Sequence, residues 1–390
     1  MNVLLVVPWD QEFGGVASVV GNLGRHLSNA GHHVVFFHPG ESRRLRPKAT
    51  AWGFSGYELN IRTPLITSRP VRSRVAFIVS LLPTLYRLRR LIRRERIQAV
   101  NVHYPIEAFC VFGMLRWLLP IKLVVSIHGA DVFPEGRQLG RYGWPLHLLL
   151  SAADAVVMPS RAFLQDVVRT FPNSAGKALF IHNGIDLREL LGAEEAPAAS
   201  HGHYLLCIAT HDSKKAVDVL LRAFVTIGQT ARTLRLVLVG DGPLREELEQ
   251  LTRNLGLQDR VTFLGWRGRR EVIRLLRDCD LFVLSSRSEP FGIVVAEALA
   301  SQKAVVASAV GGIPEIIEDG ISGVLVTPDD PIALAAAVLT LLDDDARRDA
   351  LGRAGHKRIV ERFSHEATGA RYEDLFGRVM RDESPLRDSA

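Results

Sequence analysis

Cysteine is scarce in this 390-residue chain: Cys110, Cys207 and Cys279 stand far apart, each inside an apolar run. Three such residues build neither a disulfide framework nor a zinc site, so a reducing compartment is expected. Unbroken apolar length is lacking too. The longest stretch, Ala108 to Ile127, is interrupted by Arg116, Pro120 and Lys122, short of the about 20 residues that a membrane-spanning helix needs. Neither a basic leader nor a small-residue cleavage site accompanies Val3-Leu4-Leu5-Val6-Val7, and that run reads as a buried strand rather than an export signal. The expectation is a cytoplasmic protein, soluble or peripheral on the inner face of a membrane. Aromatics reach only 7%, while Gly 32 and Pro 19 are ordinary; with 47% apolar and 23% charged residues this is globular composition, not a disordered or collagen-like chain.

Acids are few in one region. Glu41 to Lys122 holds sixteen Lys/Arg against four acids, a balance of +12, so a net charge of +6 leaves 6 − 12 = −6 for the rest. One face is expected to meet something anionic: phospholipid, a phosphorylated acceptor or nucleic acid. Within Thr84 to Ile97, together with Leu81, one helical face carries Leu81, Leu85, Leu88 and Ile92 and the remainder Arg87, Arg90, Arg93 and Arg94. A solvated charged face and a membrane-surface helix both remain open. Nucleic acid is disfavoured, because no aromatic–basic interleaving accompanies the charge.

The length exceeds what one hydrophobic core sustains, so two domains are expected. Short apolar runs alternate with amphipathic segments throughout. Strands are expected at Val3–Val7, His33–Phe37, Ala99–His103, Leu123–Ile127 and Ala155–Met158, then at Tyr204–Ala209, Leu234–Val239, Val261–Leu264, Leu281–Leu284, Ala304–Ala307 and Gly323–Val326. Helices are expected at Val16–Ala30, Val217–Ile227, Leu244–Leu255 and Arg347–Phe363. This alternation predicts an α/β protein with doubly wound parallel sheets. The boundaries read as 1–191 for a first domain, 192–203 for a linker without apolar period, and 204–364 for a second domain. Ligands of such sheets bind beyond the carboxyl ends of the strands, so a cleft between two facing domains is the expected site.

The strongest chemical signal is Ser288-Glu289-Pro290-Phe291-Gly292-Ile293-Val294-Val295-Ala296-Glu297-Ala298, directly after a strand. Pro290 suits the first turn of a helix, whose free amides at Gly292, Ile293 and Val294 would receive phosphate oxygens. Glu297 lies eight residues after Glu289, roughly 12 Å along a helix, so two carboxylates can grip hydroxyls at opposite ends of a long polar ligand. Gly14-Gly15 follow the first strand and open a helix, where backbone can approach a ligand. His128 ends a strand before Gly129, and His103 ends its neighbour; each can line a site or pack structurally. Lys214 and Lys215 sit in a strand–helix turn, where an ammonium can neutralise an anionic group.

This string resembles the signature of retaining glycosyltransferases of the GT4 type, which have the GT-B fold of two facing Rossmann-like domains. Gly14-Gly15-Val16-Ala17, Ser126-Ile127-His128-Gly129-Ala130-Asp131, Ile181-His182-Asn183-Gly184-Ile185-Asp186, Val239-Gly240-Asp241-Gly242-Pro243, Phe263-Leu264-Gly265-Trp266 and Val310-Gly311-Gly312-Ile313-Pro314-Glu315 are similar to that family's segments, in its order. The resemblance implies a nucleoside-diphosphate sugar as donor and a saccharide or lipid-linked acceptor. It implies contact of Gly14 and Gly15 with donor and acceptor, and of His128 with the anomeric centre and diphosphate. Lys215 and the amides of Gly292 to Val294 would take the diphosphate, Glu289 the sugar hydroxyls and Glu297 the ribose; Asp131 and His103 would lie on the acceptor side. It also implies a terminal helix, 365–381, crossing back to the first domain, with 382–390 as a frayed tail. The family's Gly-Arg-x-x-x-x-Lys-Gly reads here as Ala209-Thr210-His211-Asp212-Ser213-Lys214-Lys215-Ala216, with Thr210 in place of the arginine and Ala216 in place of the second glycine.

No metal and no cofactor are expected. Asp278-Cys279-Asp280 and Asp343-Asp344-Asp345 read as turn residues, because Lys215, amides and a helix dipole suffice for the diphosphate. The expected role is glycosyl transfer in the assembly of a surface polysaccharide or glycolipid. A nucleotide-sugar epimerase, a phosphorylase or a non-catalytic sugar-binding relative stands as the alternative.

Overall fold

The computed structural model describes residues 1–8, 15–64, 70–129, 131–132, 143–192 and 202–386. The chain forms two compact units, Met1–His182 with Glu366–Ala390 and Asn183–His365. The chain thus enters the second unit at Asn183, ahead of the expected linker, because Ile185 pairs with Ser364 and the Ile185 amide donates to Phe363 O at 2.8 Å.

The first unit contains β1 (Asn2–Val6), α1 (Gly15–Asn29), β2 (His33–Pro39), β3 (Arg46–Pro47), β4 (Gly56–Leu59), α2 (Pro70–Arg94), β5 (Ala99–His103), α3 (Cys110–Leu118), β6 (Lys122–Ser126), α4 (Trp144–Ala152), β7 (Ala155–Met158), α5 (Arg161–Thr170) and β8 (Ala178–Phe180). Its sheet runs β3-β4-β2-β1-β5-β6-β7-β8, with only β3 antiparallel to its neighbour. The apolar run expected as the first strand pairs on both sides, Val3 with Val34 and with Ala99. Continuous rather than alternating apolarity is what a parallel strand covered on both faces requires. The strands β3, β4 and β8 were not expected; Arg46–Pro47 and Gly56–Leu59 carry no unbroken apolar run.

The second unit contains α6 (Leu187–Gly192), β9 (Tyr204–Ile208), α7 (Val217–Thr230), β10 (Arg235–Val239), α8 (Arg245–Asn254), β11 (Val261–Gly265), α9 (Arg269–Asp278), β12 (Leu281–Leu284), α10 (Ile293–Ala300), β13 (Val305–Ser308), α11 (Ile313–Ile316), β14 (Val324–Val326), α12 (Pro331–Leu342) and α13 (Asp345–Arg362). Its parallel sheet runs β11-β10-β9-β12-β13-β14, so the strand order reverses between β9 and β12. Helix α7 buries Val217, Leu220, Leu221, Phe224 and Ile227 at helical spacing against that sheet.

The last helix, α14 (His365–Met380), returns to the first unit. Its Tyr372, Leu375, Phe376 and Val379 join one core cluster with Val3, Leu5 and Val20. The tail expected to fray at 382–390 is described as far as residue 386. Asp382 pairs with Lys122, and Arg378 Nη1 donates to Pro385 O at 2.6 Å; residues 387–390 lie outside the described residues. Among the described residues no helix is long and apolar enough to cross a membrane.

Candidate functional site

In the second unit the loops after β9 and β12 leave the sheet side by side, where the strand order reverses. In open α/β sheets this is where ligands bind. The two loops are bound together. Arg287 N donates to Lys214 O at 2.7 Å, Ser285 Oγ to Ala216 O at 2.8 Å, and the Arg287 guanidinium to both oxygens of Asp218 at 3.0 Å and to Asp329 at 2.6 Å.

This framework brings the Lys215 ammonium onto the Glu289 carboxylate. Burial pushes the lysine pKa down, but the charge and hydrogen bond of Glu289 push it up by more, and the net shift is upward. Lys215 is therefore a fixed cation. Its turn is capped by Asp212, which accepts from Lys215 N at 3.1 Å through Oδ1 and from Thr210 Oγ1 at 2.8 Å through Oδ2. Thr210 thus holds the cap of the lysine turn. Ala216 follows with φ 49°, in the left-handed region where the family pattern has glycine.

After Glu289 in sequence, α10 begins at Ile293, with Gly292 as its N-cap at φ 109° and hence no N-cap side chain on its amides. Pro290 therefore precedes the helix instead of opening it. The expected spacing of Glu289 and Glu297 assumed one continuous helix, and residues 289–292 form a loop instead. That loop leans on the Gly311-Gly312 backbone: Gly312 N donates to Glu289 O at 3.0 Å, and a Cβ on Gly311 would stand 1.9 Å from the same oxygen.

Glu297 projects from α10 and is only 5% exposed. It accepts from Arg269 Nη1 at 2.5 Å, while Arg269 Nε donates to Glu189 at 3.0 Å. Burial raises the Glu297 pKa, and Arg269 opposes that shift. The sequence reading missed Arg269. Its signal was an arginine shortly after Phe263-Leu264-Gly265-Trp266, at the amino end of α9.

In the first unit, strand order reverses between β1 and β5. Gly15 opens α1 beyond β1; Gly14 lies outside the described residues. His103 at the end of β5 and His128 beyond β6 stack with ring centroids 5.5 Å apart. Asn101 Nδ2 lies 2.9 Å from His103 Nε2, and His103 Nδ1 lies 3.2 Å from His128 Nε2. Asn101 Oδ1 accepts from Ser126 Oγ at 3.0 Å, which accepts from Tyr372 OH at 3.1 Å. Burial, then the neighbouring His128, pulls the His103 pKa far down, and burial lowers that of His128 to about 4, so both rings are neutral. The amide nitrogen can only donate, so His103 Nε2 accepts and its proton sits on Nδ1. His128 Nε2 then accepts, its proton sits on Nδ1, and that buried nitrogen has no partner among the described residues. Asn101, Ser126 and Tyr372 were absent from the sequence reading, although Asn101 and His103 share one face of β5 at a spacing of two.

Asp131 holds its own turn: Oδ2 accepts from His128 N at 2.8 Å and Oδ1 from Gly129 N at 2.6 Å. Burial raises its pKa to about 7 against the lowering effect of these bonds. Asp280 accepts from Tyr204 N at 2.6 Å and Asp344 caps α13. All three cysteines are buried with pKa values pushed to about 12, so none presents a thiolate near neutral pH.

Comparison with known proteins agrees with this architecture. Residues 13–189 match the family Glycosyltransferase Family 4, and residues 194–358 match Glycosyl transferases group 1. The chain is 28% identical over 385 residues to N-acetyl-alpha-D-glucosaminyl L-malate synthase of Bacillus anthracis, covering 95% of each. It is 30% identical over 284 residues to an uncharacterized glycosyltransferase of Methanocaldococcus jannaschii, covering 69% of this chain and 72% of the relative. HepE of Anabaena, solved with UDP and glucose, superposes with a TM-score of 0.75 at 19% identity over 97% of this chain and 99% of its own. The chain therefore belongs to the group 1 glycosyltransferases of the GT4 type, transferases built on the GT-B fold.

Proposed function

We propose that this glycosyltransferase is a retaining enzyme that takes its sugar from a nucleoside-diphosphate sugar. The observation that carries the reading is the Lys215–Glu289 pair beside the uncapped amino end of α10. Glu289, which holds the ammonium, stands four residues before Ile293, where α10 begins, and an ammonium and free helix amides are both matched to a diphosphate. In this assignment Lys215 and the amides of Gly292, Ile293 and Val294 neutralise the leaving diphosphate, with no metal ion and no cofactor. Glu289 orients the sugar hydroxyls, and Glu297, released in part from Arg269, accepts from the ribose. HepE, solved with UDP and glucose, supports a nucleotide of this kind.

On the first unit, His128 offers a neutral Nδ1–H donor to an oxygen of the donor sugar or phosphate, Gly15 lets backbone approach, and Asp131 and His103 shape the acceptor side. With the buried cysteines excluded, the reading assigns no covalent nucleophile. The acceptor hydroxyl oxygen attacks the anomeric carbon on the face that the phosphate leaves. The C–O bond to phosphate breaks and its electron pair departs with the diphosphate, which helps to take the hydroxyl proton. The acceptor is proposed to be a saccharide or lipid-linked saccharide, as in assembly of a surface polysaccharide or glycolipid; the malate glycoside named for the Bacillus relative shows that small acceptors also occur among similar proteins.

A thermal-shift screen of UDP-, GDP- and ADP-sugars is expected to give one clear stabiliser, weakened by Glu297→Gln. Proton NMR of the product then reads the anomeric configuration: an α-linked product from an α-linked donor supports retention, and a β-linked one overturns it. Turnover undiminished by EDTA is expected; loss restored by a divalent ion would overturn the metal-free assignment.

A further inference from the structure

Helix α2 has two apolar faces. Phe77, Leu88, Leu91 and Ile92 pack into the core of the first unit at 4% exposure or less. Val71, Val75, Ile78, Val79, Leu82 and Tyr86 form a second face that is 56–76% exposed. Those positions repeat at i, i+4, i+7, i+8, i+11 and i+15, one continuous helical stripe about 22 Å long. Arg89 and Arg93 continue the same stripe toward the carboxyl end, and Arg72, Arg74 and Arg90 flank it, all exposed. No acid occurs between residues 70 and 94. The acid that follows, Glu95, is occupied by Tyr57 at 2.5 Å and His33 at 3.3 Å. Trp144, 45% exposed at the start of α4, stands edge-on to Phe77 at 5.9 Å.

Single exposed apolar residues are ordinary, but six in one stripe mark a surface that something covers. The charge decides what. A second copy would set seven arginines of one helix against seven of another, without an acid on either. A neutral apolar partner would leave the arginines unused. An anionic lipid surface satisfies both the aliphatic stripe and the guanidinium groups, and a half-exposed Trp is the side chain expected at the headgroup level.

We propose that α2 lies in the plane of an anionic bilayer, with Val71, Val75, Ile78, Val79, Leu82 and Tyr86 in the headgroup–acyl boundary and the arginines on lipid phosphates. This deepens the lipid-linked acceptor reading, and only its purpose rests on that reading. Docking is measured without donor or acceptor, so its failure leaves donor binding untouched.

The test is sedimentation of the full chain with vesicles of phosphatidylcholine alone and of phosphatidylcholine with phosphatidylglycerol. Binding to the anionic vesicles is expected to be at least about tenfold tighter and to weaken with salt. The double variant Val79→Asp with Leu82→Asp, which keeps every arginine, is expected to lose about tenfold or more. The double variant Arg89→Glu with Arg93→Glu is expected to lose the preference for anionic lipid. Both pairs are exposed, so unchanged thermal melting and unchanged donor stabilisation show that folding is intact. Three results would each overturn the proposal. These are sedimentation of the wild type equally with both vesicle types or with neither, wild-type binding by the double aspartate variant, and a wild-type dimer that Leu82→Asp dissolves.

Discussion

His103 Nδ1 stands 3.2 Å from His128 Nε2, and both rings are held neutral by burial. Because Asn101 donates to the far side of His103, this contact sets the tautomer of His128 and leaves its Nδ1–H as a donor. His128 then acts by hydrogen bonding and not as a cation or a base. Nitrogen-15 NMR of the imidazoles should show the Nδ1–H tautomer of His128 from pH 5 to pH 8. Asn101→Leu, which orphans Ser126 and His103, should cost about 1–3 kcal/mol in urea unfolding and mix the tautomers. An Nε2–H tautomer in the wild type would contradict the chain of donors.

Asp131 makes stability depend on pH. Its folded pKa of about 7 lies above the ordinary carboxyl value, so the folded chain holds this proton more tightly than the unfolded chain. The corresponding stability is fully present below about pH 4 and is lost as pH rises toward about 7. The stability of the wild type relative to Asp131→Asn should fall across that window by an amount on the order of a few kcal/mol. A difference that rises or stays flat, measured by urea unfolding at each pH, would contradict the assignment.

Arg269 compensates a buried carboxylate. Arg269→Ala leaves Glu297 without its cation and should cost about 3–5 kcal/mol. Adding Glu297→Gln should restore most of that loss, because the orphaned charge is then gone. A double mutant as unstable as the single would place the contribution of Arg269 elsewhere, for example at Glu189.

Ala216 occupies left-handed backbone with a Cβ. Ala216→Gly removes that strain at some cost in unfolded-state entropy, and thermal unfolding should show a net gain of about 0.5–1 kcal/mol. A destabilised variant would show that the packing of the methyl group, fully buried here, outweighs the backbone term.

The legible parts of this protein were those in which one residue type has one physical use. The continuous apolar runs of β1, β6, β9 and β12 announced parallel strands, and Glu289 through Glu297 announced a helix after β12, although its start was expected at Pro290 and lies at Ile293. Arg269 was not legible, because Arg267, Arg269 and Arg270 look alike in one dimension and only the start of α9 decides which turns toward Glu297. Nor was the Asn101–His103–His128 chain: His128 lies beyond a neighbouring strand, and Tyr372, joined to Asn101 through Ser126, arrives from the far end of the sequence. The outer face of α2 was hidden for another reason. A run that is apolar on two sides has little period, and which side faces solvent is settled only when Phe77 and Leu88 pack.

The central claim is that Lys215, with the amides at the start of α10, receives the diphosphate. Calorimetry of UDP and of uridine, or of whichever nucleotide the donor screen selects, tests it most directly. The wild type should bind the diphosphate at least about 100-fold more tightly than the nucleoside. Lys215→Met should shrink that ratio by about tenfold or more while leaving nucleoside binding nearly unchanged, since a charge-assisted contact of about 1.5–3 kcal/mol is lost. A ratio that survives Lys215→Met intact would contradict the account.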